Sequence, residues 1–208
     1  MALQLNIQNE TATLDTVILG IGELPSGPSF NNPKSIFYLT QDSYPRQTSI
    51  LQEINHFQNI LIENGVKVLR PKCKKNLVQI FTRDIGFVIG NAFVKSSMIS
   101  ARKPEIDCIE YILNYVDPAC EIIDASDKKY GEVKIEGGDV LLNNDVVFVG
   151  KSSRTNNDGF MLIKNHFGSN KKIIQIDVNV DLQDHTKHVL HLDCTFQPIG
   201  NNHAIVYE

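Results

Sequence analysis

Four side chains stand at matched places along this sequence and could share one reaction: Asp84, Glu136, His191 and Asp193. Each lies at the head of a stretch that reads as a β-hairpin. Three carboxylates and one imidazole brought around a common axis suit a planar cation better than an anion. Guanidinium is the natural candidate, because its five N–H donors form a rigid fork that carboxylates accept bidentately, and it stays charged at physiological pH. Arg154, at the mouth of a predicted helix, could then hold the carboxylate at the other end of an amino-acid ligand. Taken singly, each residue has a blander reading. A strand acid is commonly a turn or cap residue, Glu136-Gly137-Gly138-Asp139 can be turn chemistry, and an arginine before a helix is commonly solvated. Recurrence at matched positions is what gives the set weight.

The elements that must position these residues form an internal repeat. Aligning the acids before the hairpins gives Asp84, Asp139 and Asp193, at spacings of 139 − 84 = 55 and 193 − 139 = 54. Each unit reads as acid, hairpin, helix, strand. In the central one, Glu136 to Asp139 leads into apolar strands joined at Asn143-Asn144-Asp145, the second running out through Gly150, Ser152 and Ser153 to Arg154. Phe160, Ile163 and Phe167 mark its helix, ended by Gly168, and Lys172 to Val178 its returning strand. In the preceding unit Phe87 to Val94 is the hairpin, Pro104 opens a helix with Ile106, Ile109, Leu113 and Val116 inward, and Cys120 to Ile123 returns.

Asp15 and the strand Val17 to Ile21 begin a first unit, stretched by a Gly/Pro/Ser/Asn-rich loop from Gly22 to Pro33 that is long enough to lie over a site. Ser35 to Leu39 reads as a short strand. Ile50, Ile54, Phe57 and Leu61 give one helix face between Arg46 and Asn64, closed by Gly65. The stretch from His188 to Tyr207 starts a fourth unit, with His191 and Asp193 on the same face of a strand and Cys194 on the other. The expected class is α/β, with ββαβ units repeated radially about an axis and incomplete at the C-terminus. A single domain over residues 1–208 is expected, lacking part of its fourth unit and all of a fifth.

Composition narrows the classes. The 42% hydrophobic and 21% charged content is that of a globular chain, and a net charge of −4 gives no electrostatic case for nucleic acid or an anionic membrane. No apolar run approaches the roughly 20 residues of a spanning helix, and the N-terminus has no signal-like core. Cys73, Cys108, Cys120 and Cys194 are scattered without a CxxC pair, which makes reduced thiols in the cytoplasm the default and disulfides or zinc unlikely partners of the fold. His185, His188 and His191 have irregular spacing and no cysteine among them, a poor zinc pattern; His56, His166, His185 and His203 read as structural or surface residues. No metal and no cofactor is expected. An unfinished array would expose a strand edge and half an interface, so self-association into a homo-oligomer is expected.

Thr82-Arg83-Asp84 before Gly86-Phe87-Val88-Ile89-Gly90, then Glu136-Gly137-Gly138-Asp139, then Ser153-Arg154-Thr155, then His191-Leu192-Asp193 with Phe196 resemble the ordered motifs of the guanidino-group-modifying superfamily. That superfamily holds arginine deiminases, glycine amidinotransferases and dimethylarginine dimethylaminohydrolases on a five-bladed β/α propeller, the pentein fold. The His-x-Asp form is closer to the deiminase and amidinotransferase branches. The resemblance implies a cysteine-dependent hydrolase of arginine or a related small guanidino substrate. Asp84 and Asp193 would grip the guanidinium, His191 would serve as general acid and base, Glu136 would orient that imidazole, and Arg154 would pair with the substrate carboxylate. It also implies a nucleophilic cysteine in a fifth blade, and this sequence ends before one. Cys194 is a poor substitute, since strand alternation turns it from His191 and its surroundings raise a thiol pKa. An amidinotransferase, or a guanidino-binding protein without turnover, are the alternatives.

Overall fold

The apolar run after Asp15 forms a short strand, β1 (Thr16–Ile18), in the computed structural model, which describes residues 2–23, 33–181, 183, 184 and 186–207. Two helices follow, α1 (Pro33–Thr40) and α2 (Gln47–Glu63), and β2 (Lys67–Leu69) then returns parallel to β1. Ser35 to Leu39, expected as a strand, is therefore helical. Short apolar runs carry no decisive period, and a proline at the head of this one suits a first helical turn. Most of the loop expected over the site, and His185, lie outside the described residues. The expected face of α2 is only half covered: none of its residues is buried, and Phe57 is 48% exposed.

The next two units share one plan. A single helical turn, α3 (Thr82–Ile85), leads into the hairpin β3 (Gly86–Ile89) and β4 (Ala92–Lys95). A 3-10 turn over Lys103–Cys108 and α4 (Glu110–Leu113) then bring β5 (Glu121–Asp124) back parallel to β4. The single helix expected after Pro104 is thus broken in two, although Ile109 and Leu113 are buried as expected. In the following unit a 3-10 turn over Gly137–Asp139 leads into β6 (Val140–Asn143) and β7 (Val146–Lys151). After it come α5 (Asn157–Phe167) and β8 (Lys172–Asp177), parallel to β7. Asn156 caps α5 by accepting the Gly159 N–H.

A third helical turn, Leu192–Cys194, precedes the last hairpin, β9 (Phe196–Ile199) and β10 (His203–Val206). His191 and Asp193 therefore do not sit on one face of a strand. The reason is tertiary: the Leu192 N–H donates to the Asp139 carboxylate at 2.9 Å rather than to a sheet ladder, which draws the chain into a turn. Two-residue loops close the two central hairpins, and Gly90 and Asn144 adopt the positive φ that such tight loops require.

The sheets are β3-β4-β5 and β6-β7-β8, with β1-β2 and β9-β10 as separate pairs. The two three-stranded sheets bury a common core in which Val94, Ile135, Val140, Val147, Val149 and Ile163 have no exposed surface. A second cluster around Ile85, Phe93 and Ile109 joins β3 and β4 to Ile18 and Leu69 of the β1-β2 pair. The fold is mixed α/β. Among the described residues no helix is long and apolar enough to cross a membrane.

Ile163→Ala should lower stability by about 2–4 kcal/mol in chemical denaturation, while Ile60→Ala, on the half-covered α2, should cost under about 1 kcal/mol.

Candidate functional site

The three helical turns ahead of the hairpins are what assemble the site. They pack one on the next, the Gly137–Asp139 turn touching both α3 and the Leu192–Cys194 turn. Glycine makes this approach geometrically available. A Cβ at Gly137 would meet the Arg83 carbonyl oxygen at 2.1 Å, and one at Gly138 would meet His191 Cγ at 2.7 Å and Asp84 Oδ1 at 3.0 Å. Any other residue would separate the turns and the groups they carry. Arg83 ties the first two turns: it donates to the carbonyls of Gly137 (3.1 Å) and Val140 (2.6 Å) and pairs with Glu10. Asp139, wholly buried, ties the second to the third by accepting from Ser152, Thr155 and the Leu192 N–H.

At the junction of the turns lie Asp84, Glu136 and His191, all buried. His191 Nε2 is 2.9 Å from Glu136 Oε2, and its Nδ1 is 3.7 Å from Asp84 Oδ1. Arg154 donates to Glu136 Oε1 at 3.1 Å, so this expected carboxylate partner of a ligand spends one N–H on the acid beside it. Asp193 is half-buried at the margin. Among the described residues its one side-chain hydrogen bond is a long one from the Cys194 thiol, and His191, Arg83 and Asp84 act on it through their charges.

Arg102 and Glu105 belong to the same cluster, and the sequence reading had not included them. Arg102 donates from Nη1 to Asp84 (2.6 Å) and Glu136 (3.4 Å), and from Nε and Nη2 to the two oxygens of Glu105 at 2.9 and 2.8 Å. A signal for it existed. Arg102 follows Asp84 by 102 − 84 = 18 residues, and Arg154 follows Glu136 by 154 − 136 = 18. The repeat therefore carries a matched arginine as well as a matched acid.

These contacts set the charges. Burial opposes the imidazolium of His191, but Glu136 and Asp84 outweigh it and hold its pKa above the ordinary value. Burial likewise opposes the Glu136 carboxylate, and His191, Arg154 and Arg102 more than offset it, holding that carboxyl low. Arg102 is desolvated too, yet Glu105 and Asp84 keep it firmly charged. Burial raises the carboxyls of Asp139 and Asp193. Asp84, Glu136 and His191 place one donor atom each within 4.8 Å of one another, a set that could in principle ligate a metal. Ligation needs a neutral imidazole, whereas the two carboxylates here favour the imidazolium.

The overall arrangement is that of the pentein fold of the guanidino-group-modifying superfamily. It is similar to SxtG, an amidinotransferase of the saxitoxin biosynthetic pathway of Microseira wollei, with a TM-score of 0.79 at 23% identity over 97% of this chain and 69% of that one. It is also similar to dimethylarginine dimethylaminohydrolase of Pseudomonas aeruginosa complexed with citrulline, at a TM-score of 0.66 and 15% identity over 93% of this chain and 69% of that one. At these identities the likeness is one of fold. In sequence, residues 75–208 match the family described as arginine deiminase, and the chain belongs to that family. The uncharacterized protein YkgA of Bacillus subtilis (strain 168) is 30% identical over 207 residues, 96% of this chain; the chain spans 65% of that relative's length.

His191 has a raised pKa in the folded state, so its stabilising contribution is full below about pH 6.5 and is lost as pH rises through the folded value. The urea-midpoint advantage of the native chain over His191→Gln should therefore shrink as pH is raised from 6. Gly138→Ala should leave the far-ultraviolet dichroism unchanged while shifting the NMR titration of His191 toward the ordinary value, because the added methyl group displaces the ring from its carboxylates.

Proposed function

We propose that this chain binds the guanidinium group of arginine or a related small compound at the junction of its three helical turns, as the substrate-holding part of a cysteine-dependent hydrolase. One observation carries the reading: the acids in question already hold a guanidinium, that of Arg102, at hydrogen-bonding distance from Asp84. In this reading Asp84 and Asp193 grip the guanidinium nitrogens and Arg154 pairs with the carboxylate of the ligand through its remaining N–H groups. His191, protonated by its setting, gives its proton to the leaving amine as a thiolate adds to the guanidinium carbon. It then takes a proton from the water that resolves the covalent amidino-thioether. Glu136 holds the imidazole in position and supports its charge. The repeated units are read as blades of a β/α propeller around this junction, within a single domain of residues 1–208.

The thiols bear on hydrolase against binder. Cys194 is pushed up by burial and by Asp193, Cys73 by its hydrogen bond to Glu23, and Cys108 by burial. A nucleophile needs the opposite shift. None of these three thiols is set up as the nucleophile, and a guanidino-binding role without turnover is the second reading. A low-pKa thiol brought to His191 by a further segment would convert the binder into the hydrolase, and capture of the amidino group by an added amine such as glycine would mark an amidinotransferase instead.

Calorimetry with L-arginine tests the shared core of these readings. Binding should be measurable and should weaken by about tenfold or more in Asp84→Ala, as loss of a charged hydrogen bond in a buried site demands. Citrulline and ammonia release in the same samples separates hydrolase from binder. Equal affinity in the native and Asp84→Ala proteins would sink the assignment.

A further inference from the structure

A cleft of about 410 Å³ opens between the end of β4, the segment after it, the Lys103–Cys108 turn, α4 and the end of β5. None of Asp84, Glu136, His191, Asp193, Arg102 and Arg154 lines it. Small-molecule sites span roughly 300–1,000 Å³, so this one has room for a small organic ligand rather than a lone ion. The charged groups on its wall are unevenly paired. Asp107 is matched by Lys74 at 3.2 Å. Lys95 stands 2.5 Å from Glu110 and 4.0 Å from Asp124, so one ammonium serves two carboxylates and a negative charge is left over. Ser126 engages the other oxygen of Asp124, leaving the one nearer Lys95 without a hydrogen bond among the described residues. Lys103 makes no ion pair among the described residues, so a positive charge is left over as well. Ser96, 5% exposed, also lines the cleft, and its hydroxyl has no hydrogen-bond partner among the described residues, which is uncommon for a buried polar group.

We propose that this cleft binds a free aliphatic α-amino acid, as a second site that stands whatever the guanidinium junction binds. The ligand carboxylate pairs with Lys103 and gives the Ser96 hydroxyl the acceptor it lacks. The ligand ammonium goes to Asp124 and Glu110 and balances the charge that Lys95 alone leaves open. Met98, Pro104 and Ile106 supply apolar surface for the side chain. Charge decides the class. A simple anion would meet Lys103 but would add to the surplus around Lys95, and a simple cation would leave Lys103 and Ser96 unserved. A zwitterion answers both remainders at once. The wall that carries Ser96 is held before any ligand arrives. The Ser96 N–H donates to the Ile85 carbonyl at 3.1 Å, and the Ser97 carbonyl accepts from the Ile135 N–H at 3.2 Å. Such preorganisation lowers what binding must spend on ordering the chain.

L-Leucine is the probe, set beside isocaproate, which lacks the ammonium, and isoamylamine, which lacks the carboxylate. Amide NMR titrations should show saturable shifts with L-leucine centred on Ser96, Lys103 and Asp124. Each of the other two probes should bind at least about tenfold more weakly. Ser96→Ala should weaken L-leucine binding about tenfold, as loss of a hydrogen bond to a charged group does. It should not lower the melting temperature, because the hydroxyl it removes is unpaired in the free protein. Lys103→Gln, at an exposed position, should weaken binding about threefold. If Ser96→Ala does not fold, Lys103→Gln carries the test. No saturable binding by the native protein, equal binding of the three probes, or unchanged affinity in both variants would each overturn the site. Shifts centred on Glu136, Arg154 and His191 would overturn it too, by seating the amino acid at the guanidinium junction instead.

Discussion

A fully buried carboxylate, Glu136, is the constraint on which the rest of the structure depends. An isolated charge there would be strongly destabilising, and removing one partner from a buried ion pair costs about 3–5 kcal/mol. The chain meets this from three directions. His191 arrives from the last helical turn, Arg154 from the segment beyond β7, and Arg102 from the loop beyond β4. Each is held by a different repeat or a different part of one, so the charge balance of Glu136 requires the units to be packed in their native relation. Electrostatics and assembly are therefore coupled: the cluster is satisfied only when the turns stack, and the turns stack closely only because Gly137 and Gly138 have no side chains.

Repetition made much of this legible in the sequence. The spacing of 55 and 54 residues between Asp84, Asp139 and Asp193 marked three equivalent positions ahead of hairpins, apolar runs joined at turn residues located the hairpins, and Phe160, Ile163 and Phe167 located the helix that follows Arg154. The structure brings Asp84, Glu136 and His191 together, with Arg154 against Glu136 and Asp193 at the edge. What was not legible depended on competition between local and tertiary hydrogen bonding. Ser35 to Leu39 has too few residues to declare a period, and it forms helix. His191 to Asp193 alternates like a strand, but a buried carboxylate 53 residues away captures the Leu192 N–H and turns the chain.

Arg102 escaped for a different reason. Its segment looks like an ordinary helix entry, with Pro104 and Glu105 suited to a first turn, and that local explanation was sufficient. Only the equal 18-residue offset from Asp84 and from Glu136 distinguishes it, and an offset between charged residues gains meaning once the repeat frame is known. Asp139 was recognised as a repeat marker but not as a fastening. Three donors converge on it, two hydroxyls from beyond β7 and one backbone N–H from the third turn. It serves the site through the neighbours it holds and through its charge, which favours the imidazolium of His191.

That fastening gives the site an uneven resilience. The segment bearing His191 leads to β9 and β10, where Ile205 and Val206 are more than 60% exposed, whereas Asp84 and Glu136 border the shared core of the two larger sheets. Local opening follows the parts with the fewest covered contacts. The imidazole of His191 thus hangs from the less covered margin while its carboxylate partners stand on the core. Transient detachment of the last hairpin would part His191 from Glu136 while the pairing of Asp84 and Glu136 with Arg102 stayed intact.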